Sequence, residues 1–327
     1  MRDITVPLLA WYRENRRPLP WREDPTPYRV WVSEIMLQQT RIEAARGYFE
    51  RFMAALPDVF ALAAADEDTV LKLWEGLGYY SRARNLHKTA KIIVSEYGGV
   101  FPHTAAALKK LPGIGDYTAG AVASIAFGER ESAVDGNVLR VFSRLERCGE
   151  NVGDGRFRAR VAAELREISP AEGCGDFTSA LMELGEVICL PGTPDCGRCP
   201  LASLCAAHAA GGEALYPVMP AKKPRRTVER NVLLLLSGDA VALRRRPEKG
   251  LLAGLWEYPD GPAPEGAERC GEAVHIFTHV EWHMTGWLLR DAPRSEEYTW
   301  VTREERLALA IPTAFRYYSA LLDTMDH

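Results

Sequence analysis

The sequence predicts a mostly α-helical domain followed by a small α+β domain, and three observations carry that expectation. Apolar residues recur at helical spacing through residues 5–210, as in Leu8, Leu9 and Tyr12, or Val30, Trp31, Ile35 and Met36. Between residues 209 and 230 Gly211, Gly212, Pro217, Pro220 and Pro224 mix with Lys222, Lys223, Arg225 and Arg226, the composition of a linker. Beyond it the apolar period drops toward two. The expected boundaries are a helical domain over 1–210, a basic, proline-rich linker over 211–227 and a second domain over 228–327.

The first helix carries Leu8, Leu9 and Tyr12 and ends at the break from Arg17 to Pro20. Pro25 and Pro27 lead into a helix over 28–39, whose polar residues include Glu34, Gln38 and Gln39. Helices are expected over 42–55, 66–75 and 79–97, then on both sides of a Pro-Gly turn, LPGIG, at 111–115. Glycines at 113 and 115 permit backbone conformations that a Cβ would resist, and leave the next helix's first N–H groups open to an anion. Such a helix–turn–helix is shaped to hold one backbone phosphate, and equally serves as a plain helical hairpin. The stretch ends on Asp135, just before Gly136 and Asn137. Helices over 138–145, 156–168 and 177–188 follow. In the second domain strands are expected over 228–237, 240–246, 256–259, 274–281 and 284–290, with a helix over 311–325.

A length of 327 residues favours two domains, and 47% hydrophobic with 26% charged residues is ordinary for a soluble protein. A net charge of −4 means that any nucleic-acid surface is local. Residues 1–20 are charged throughout and read as no signal peptide, and the longest aliphatic run, 232–236, is far too short to span a membrane. A cytoplasmic protein is expected, monomeric because no sustained heptads appear.

Four of the seven cysteines, Cys189, Cys196, Cys199 and Cys205, fall in one loop, 189–205, spaced C-x6-C-x2-C-x5-C. Clustering without a secretory signal points to a metal centre rather than disulfides. Structural zinc more often uses two short knuckles separated by a longer insert, and here only Cys196 and Cys199 form one. A [4Fe–4S] cube suits the compact loop better, with zinc as the alternative.

With these motifs in view, VSEIMLQQTRIEA, WEGLGYYSRARNLHKTA, LPGIGDYTAG, AVDGNVLRV and the cysteine spacing together resemble the helix-hairpin-helix DNA glycosylases that carry an iron–sulfur cluster. Among these the chain is most similar to the MutY-type adenine DNA glycosylases. The resemblance implies removal of adenine mispaired with 8-oxoguanine or guanine in double-stranded DNA, with the base flipped out of the helix. Purine excision needs a proton for the leaving base and negative charge against a cationic sugar, which two carboxylates supply. Glu34 matches the family's general acid, and its apolar neighbours make a raised pKa plausible. Asp135 matches the carboxylate that stabilises the oxocarbenium ion or bonds transiently to it, and Tyr117 and Asn137 match its supporting residues. Related endonuclease III-type enzymes carry a nucleophilic lysine where this chain has Tyr117, so a monofunctional glycosylase is expected. A bifunctional pyrimidine glycosylase/lyase and a non-catalytic iron–sulfur DNA-binding protein are the alternatives.

For DNA contacts, Gly113 and Gly115 belong to the phosphate-binding turn, Gln39 and Tyr79 match residues that enter the duplex beside the oxidised guanine, and Arg22 and Leu37 match residues on the adenine side. Arg82, Arg84 and Lys88 are expected to face phosphate. GLLAGLWEYP and HIFTHVEWHM resemble the Nudix-like C-terminal domain of the same family. Glu265, Glu268 and Glu272 lack the spacing of a magnesium-binding Nudix box, so a lesion-reading domain is expected rather than a pyrophosphohydrolase. The family's Phe-Ser-His loop corresponds to Phe277, Thr278 and His279, in which threonine keeps the hydroxyl, and the spacer before it is short enough to lack a helix.

Overall fold

The computed structural model describes residues 3–221 and 224–325, and Lys222 and Lys223 of the expected linker lie outside them. The chain forms two compact units. One comprises residues up to 64 together with 88–221; the other comprises 65–87 and the described part of 222–327. The division therefore differs from the expected 1–210 and 228–327: an inserted segment of the helical half belongs with the C-terminal residues.

The first unit is helical, and its helix starts are written in the sequence. Thr26 accepts from the Arg29 backbone N–H ahead of Pro27–Leu37, which has proline at its first position. Asp135 accepts from the Val138 N–H at the head of Gly136–Leu145, and Asp154 caps Gly155–Ile168. Thr5–Asn15, Gly136–Leu145, Gly155–Ile168 and Cys174–Val187 enclose one core that includes Leu8, Tyr12, Phe142, Phe157, Phe177 and Leu181. Cys189, Cys199 and Cys205 pack against the same core, so the cysteine loop is an outgrowth of it. Pro27–Leu37 is buried on nearly every side, Glu34 included. Helix 28–39 was expected two residues longer; Gln38 caps it and Gln39 turns to a left-handed φ of 59°.

In the hairpin, Gly113 has φ 74°, which a side chain would resist. Gly115 is extended, and a Cβ there would meet open space, so it is not required by conformation. Its smallness leaves the N-terminus of Asp116–Phe127 uncovered. Thr89 Oγ1 donates to the Pro112 carbonyl at 2.7 Å and fixes the turn from behind. Residues 211–221, expected as linker, are bound to this unit: Val152 N donates to Val218 O at 3.1 Å, and Arg144 Nε donates to the Glu213 and Tyr216 carbonyls.

The second unit is built on a six-stranded sheet: β1 Arg226–Ser237, β2 Ala240–Arg245, β3 Trp256–Glu257, β4 Glu268–Ile276, β5 Val280–Leu289 and β6 Thr299–Thr302. The order is β3-β2-β1-β5-β4 with β6 on β2, and only β1 and β5 run parallel. β1 is covered on both faces, Val232 and Leu234 in one core and Leu233 and Leu235 in the other, which explains the unbroken apolar run there. A strand expected over 274–281 is instead broken at 277–279, where β4 turns into β5. Among the described residues no helix lies between β3 and β4.

Segment 65–87 is sewn to this unit by specific bonds. Lys72 Nζ donates to the Leu309 carbonyl at 3.0 Å, the Ile311 N–H to Glu75 Oε1 at 3.0 Å, and Arg245 pairs with Asp68 at 2.9 Å. Arg82, expected at phosphate, turns inward: it donates to the Leu77 and Gly78 carbonyls and lies over the Trp74 and Tyr79 rings. Its side chain builds the turn that presents Tyr79 instead of facing solvent.

Candidate active site

A cavity of about 910 Å³ in the first unit is lined by Glu34, Tyr117, Asp135 and Asn137, together with Arg22, Leu37 and Gln39. Residues from four separate stretches of sequence thus meet around one space. Glu34 reaches it from the third turn of a buried helix and is 4% exposed. Burial pushes its carboxyl up to about 7; the Tyr117 hydrogen bond opposes the shift and the nearby Asp135 charge adds to it. Tyr117 donates its hydroxyl to Glu34 Oε2, and its own pKa is raised by burial and by both carboxylates.

Asp135 differs from Glu34 in its partners. Oδ1 accepts the Val138 N–H at 2.7 Å and Oδ2 accepts Asn137 Nδ2–H at 2.9 Å, both at a helix N-terminus. Burial outweighs these two bonds and raises its pKa, while the bonds favour its charged form. Glu34 is therefore placed to hold a proton near neutrality, and Asp135 has both carboxylate oxygens met by donors.

Two residues that sequence reasoning passed over organise this site. Arg140 donates from Nη2 to Asn137 Oδ1 at 2.8 Å and to Gly185 O at 2.8 Å, and from Nε to Cys189 O at 2.7 Å. A continuous chain of bonds, Asp135 to Asn137 to Arg140, thereby ends at the first cysteine of the loop. The helices touch closely here: a Cβ on Gly185 would lie 2.6 Å from Asn137 Cβ. Glu183, with its side chain 1% exposed, accepts Arg17 Nε at 2.7 Å and Nη2 at 2.9 Å, and Arg22 Nη2 at 2.8 Å. Burial would raise the Glu183 pKa, but the two arginines overcome it and hold it at about 2. Glu183 thus fixes Arg22 on the cavity wall. The signal for both was present in sequence: a lone charge in an otherwise apolar helical run, VLRVF and ALMELG.

None of the seven cysteines is paired in a disulfide among the described residues. Burial, and then nearby negative charge, push Cys196 and Cys199 up to about 11 and raise Cys205. Arg144, 2% exposed, donates from Nη1 to Cys189 Sγ at 3.3 Å and to Leu190 O at 2.8 Å. Tetrahedral zinc, at about 2.3 Å per Zn–S bond, would bring four sulfurs within about 3.8 Å of one another. Among the described residues the group converging within 4.8 Å is Cys196, His208 and Glu213, not three cysteines. Four thiols from one loop are a donor set that an iron–sulfur cluster or a zinc ion can take.

In the second unit Tyr79 and Thr278 meet: their hydroxyl oxygens are 2.7 Å apart. Tyr79 has a left-handed φ of 48° and is 46% exposed. Thr278 and His279 stand exposed at the tip of the β4–β5 turn, with Phe277 packed toward the core. Gln39 and Tyr79, the two residues expected to enter a duplex, are both non-glycine residues with positive φ, a costly backbone state that surrounding structure must enforce.

The fold and this site define a base-excision DNA repair protein of the helix-hairpin-helix class. The family description "HhH-GPD superfamily base excision DNA repair protein" matches residues 32–167, and a NUDIX domain matches 231–321. The chain belongs to the adenine DNA glycosylase family. It is 33% identical to the adenine DNA glycosylase of Mus musculus, over 94% of this chain and 76% of that one. It is 38% identical to that of Buchnera aphidicola (strain APS), over 86% and 85%. Among solved structures, a thermostable thymine-DNA glycosylase aligns at TM-score 0.58 and 27% identity, covering 63% of this chain and 94% of that one. A trapped endonuclease III–DNA covalent intermediate aligns at TM-score 0.54 and 25% identity, covering 62% and 93%. No helix among the described residues is long and apolar enough to cross a membrane.

Proposed function

We propose that the protein removes adenine paired with 8-oxoguanine, or with guanine, from duplex DNA by hydrolysis of the N-glycosidic bond, without lyase chemistry. The observation that carries this reading is the pairing of a buried Glu34 bonded to Tyr117 with an Asp135 held by Asn137 and a helix N-terminus. Glu34, protonated near neutral pH, donates its proton to the ring nitrogen of the flipped adenine, so the base departs neutral. Positive charge then develops at the sugar C1′, and Asp135 stabilises it, as an ion pair or a transient ester, until water adds. Tyr117 has no amine, so no Schiff base forms with the sugar and the strand remains intact at the abasic site. Arg22 and Leu37 line the space for the base.

The turn at Gly113 and Gly115 is the proposed phosphate contact, its N–H groups facing a backbone anion. Gln39 and Tyr79 are proposed to fill the gap left by the flipped nucleotide, and residues 277–279 to read the oxidised guanine. Cys189, Cys196, Cys199 and Cys205 would hold a [4Fe–4S] cluster, which supplies a compact, rigid anchor for the loop. The working protein is assigned as a cytoplasmic monomer.

Incubation with an 8-oxoguanine:adenine duplex, followed by alkali, tests the reading. An alkali-dependent cut at adenine with no borohydride-trapped adduct supports it. A stoichiometric trapped adduct, or release of a pyrimidine instead, defeats it in favour of a lyase-type enzyme; DNA binding without release of any base would leave only a binding protein.

A further inference from the structure

The 277–279 turn rests on a stack of half-buried rings seated on the buried Trp282 and its cations, inside the second unit. Phe277 meets Trp282 edge to face at 4.8 Å between centroids, and His275 meets Phe277 at 4.5 Å. Trp282 is 5% exposed, and the Arg230 guanidinium lies over it, Cζ 4.1 Å from the ring centroid. β1 pairs with β5 in parallel with Val228 opposite Trp282, so Arg230 is the indole's diagonal neighbour on the next strand. Its side chain is 8% exposed, and its Nη1 has no hydrogen-bond acceptor among the described residues, so the indole face serves that side of the cation. The other side is fixed by carboxylates: Nε donates to Asp260 at 2.7 Å and Nη2 to Glu257 at 3.2 Å. Glu257, 2% exposed, also takes Arg244 at 2.9 Å and Arg246, whose guanidinium stands 5.5 Å from the same indole. The backbone closes the turn as well: Phe277 N donates to Val280 O, Arg226 N donates to His279 O, and Ile276 pairs with Glu281 at its base.

We propose that Arg230, braced by Glu257 and Asp260 against Trp282, is a positioning residue that sets where Thr278 and His279 stand, and hence the preference for the oxidised base opposite adenine. This rests on the reading of 277–279 as the lesion-sensing turn. Arg230 touches neither DNA nor the cleaved bond in this account; it acts through Trp282 and Phe277. Removing the cation frees the indole to shift, and the phenylalanine seated on it carries the turn away from Tyr79. The consequence is confined to selectivity, because the base-excision cavity lies in the other unit.

The test compares single-turnover adenine release from 8-oxoguanine:adenine and guanine:adenine duplexes by the full-length protein, Arg230→Met, Arg230→Lys, Thr278→Ala and the Arg230→Met/Thr278→Ala double variant. Arg230→Met is expected to lower the ratio of the two rates about tenfold, with the guanine:adenine rate within about twofold of the parent. Arg230→Lys, which keeps a cation on the indole but loses the two-carboxylate fork, recovers part of that ratio. The double variant is no less selective than the poorer single one. Unchanged selectivity in both Arg230→Met and Arg230→Lys overturns the proposal, as do effects of Arg230→Met and Thr278→Ala that simply multiply. Should Arg230→Met fail to fold, the lysine variant decides alone: parental selectivity refutes, reduced selectivity supports. A parent protein that releases adenine from neither duplex overturns the proposed function itself, a result separable from failure of Arg230.

Discussion

The hydroxyls of Tyr79 and Thr278 lie 2.7 Å apart although 199 residues separate them in the chain. Both residues belong to the same compact unit, which joins segment 65–87 to the C-terminal residues. The contact joins a residue proposed to enter the duplex to one proposed to read the lesion.

Tyr79→Phe is expected to lower selectivity for 8-oxoguanine:adenine over guanine:adenine by the same factor as Thr278→Ala, roughly threefold to tenfold, the range of one exposed hydrogen bond. The double variant is expected to show no further loss. Single-turnover rates on the two duplexes check this, and multiplicative effects would show that the hydroxyls act separately.

Glu34→Gln is expected to abolish excision while stabilising the fold at neutral and alkaline pH. The folded-state pKa of Glu34 is raised to about 7 from an ordinary carboxylate value near 4.5, so its ionisation opposes folding. Relative to the glutamine variant, the parent therefore loses stability as pH rises from about 4.5 through 7, by up to about 3 kcal/mol. Urea denaturation of both proteins at pH 5 and pH 8 measures it; equal midpoint differences at the two pH values would contradict the raised pKa.

Gly185→Ala is expected to reduce adenine excision at least about tenfold with little change in DNA affinity, since an added methyl must displace Asn137 and, with it, the support of Asp135. Comparison of single-turnover rate and equilibrium binding separates the two effects. A parent-like rate would mean that the helices yield without moving Asn137.

Cys199→Ser is expected to lower iron content from about four atoms per chain and to make the 189–221 segment sensitive to proteolysis. Elemental analysis of the protein purified without oxygen reads the first effect. Stoichiometric zinc in place of iron in the parent would return the loop to the alternative assignment.

Much of this was legible in the sequence. Glu34 and Asp135, singled out by the motifs around them, line one cavity, and three of the four spaced cysteines, Cys189, Cys199 and Cys205, pack against one core. What escaped had a physical reason in each case. Arg140 and Glu183 stand in the apolar runs VLRVF and ALMELG, where a lone charge marks either a surface position or a buried pair, and the packed partners decide between the two. Arg82 was expected at phosphate, with a solvated helix face as the alternative; its burial depends on a turn whose path periodicity does not encode. The turn at 277–279 was hidden inside an apparent strand because Val274, Ile276 and Trp282 alternate smoothly across it. The assignment of 65–87 to the C-terminal unit depends on long-range bonds such as Lys72 to Leu309, which leave no local trace.

The central claim is that a protonated Glu34 delivers the proton that releases adenine. The pH dependence of the single-turnover rate on an 8-oxoguanine:adenine duplex tests it directly. The account predicts a rate that holds below pH 7 and falls about tenfold per unit once pH exceeds the Glu34 value of about 7, with Glu34→Gln inactive throughout. A rate that stays flat to pH 9, or a glutamine variant that retains activity, would contradict it.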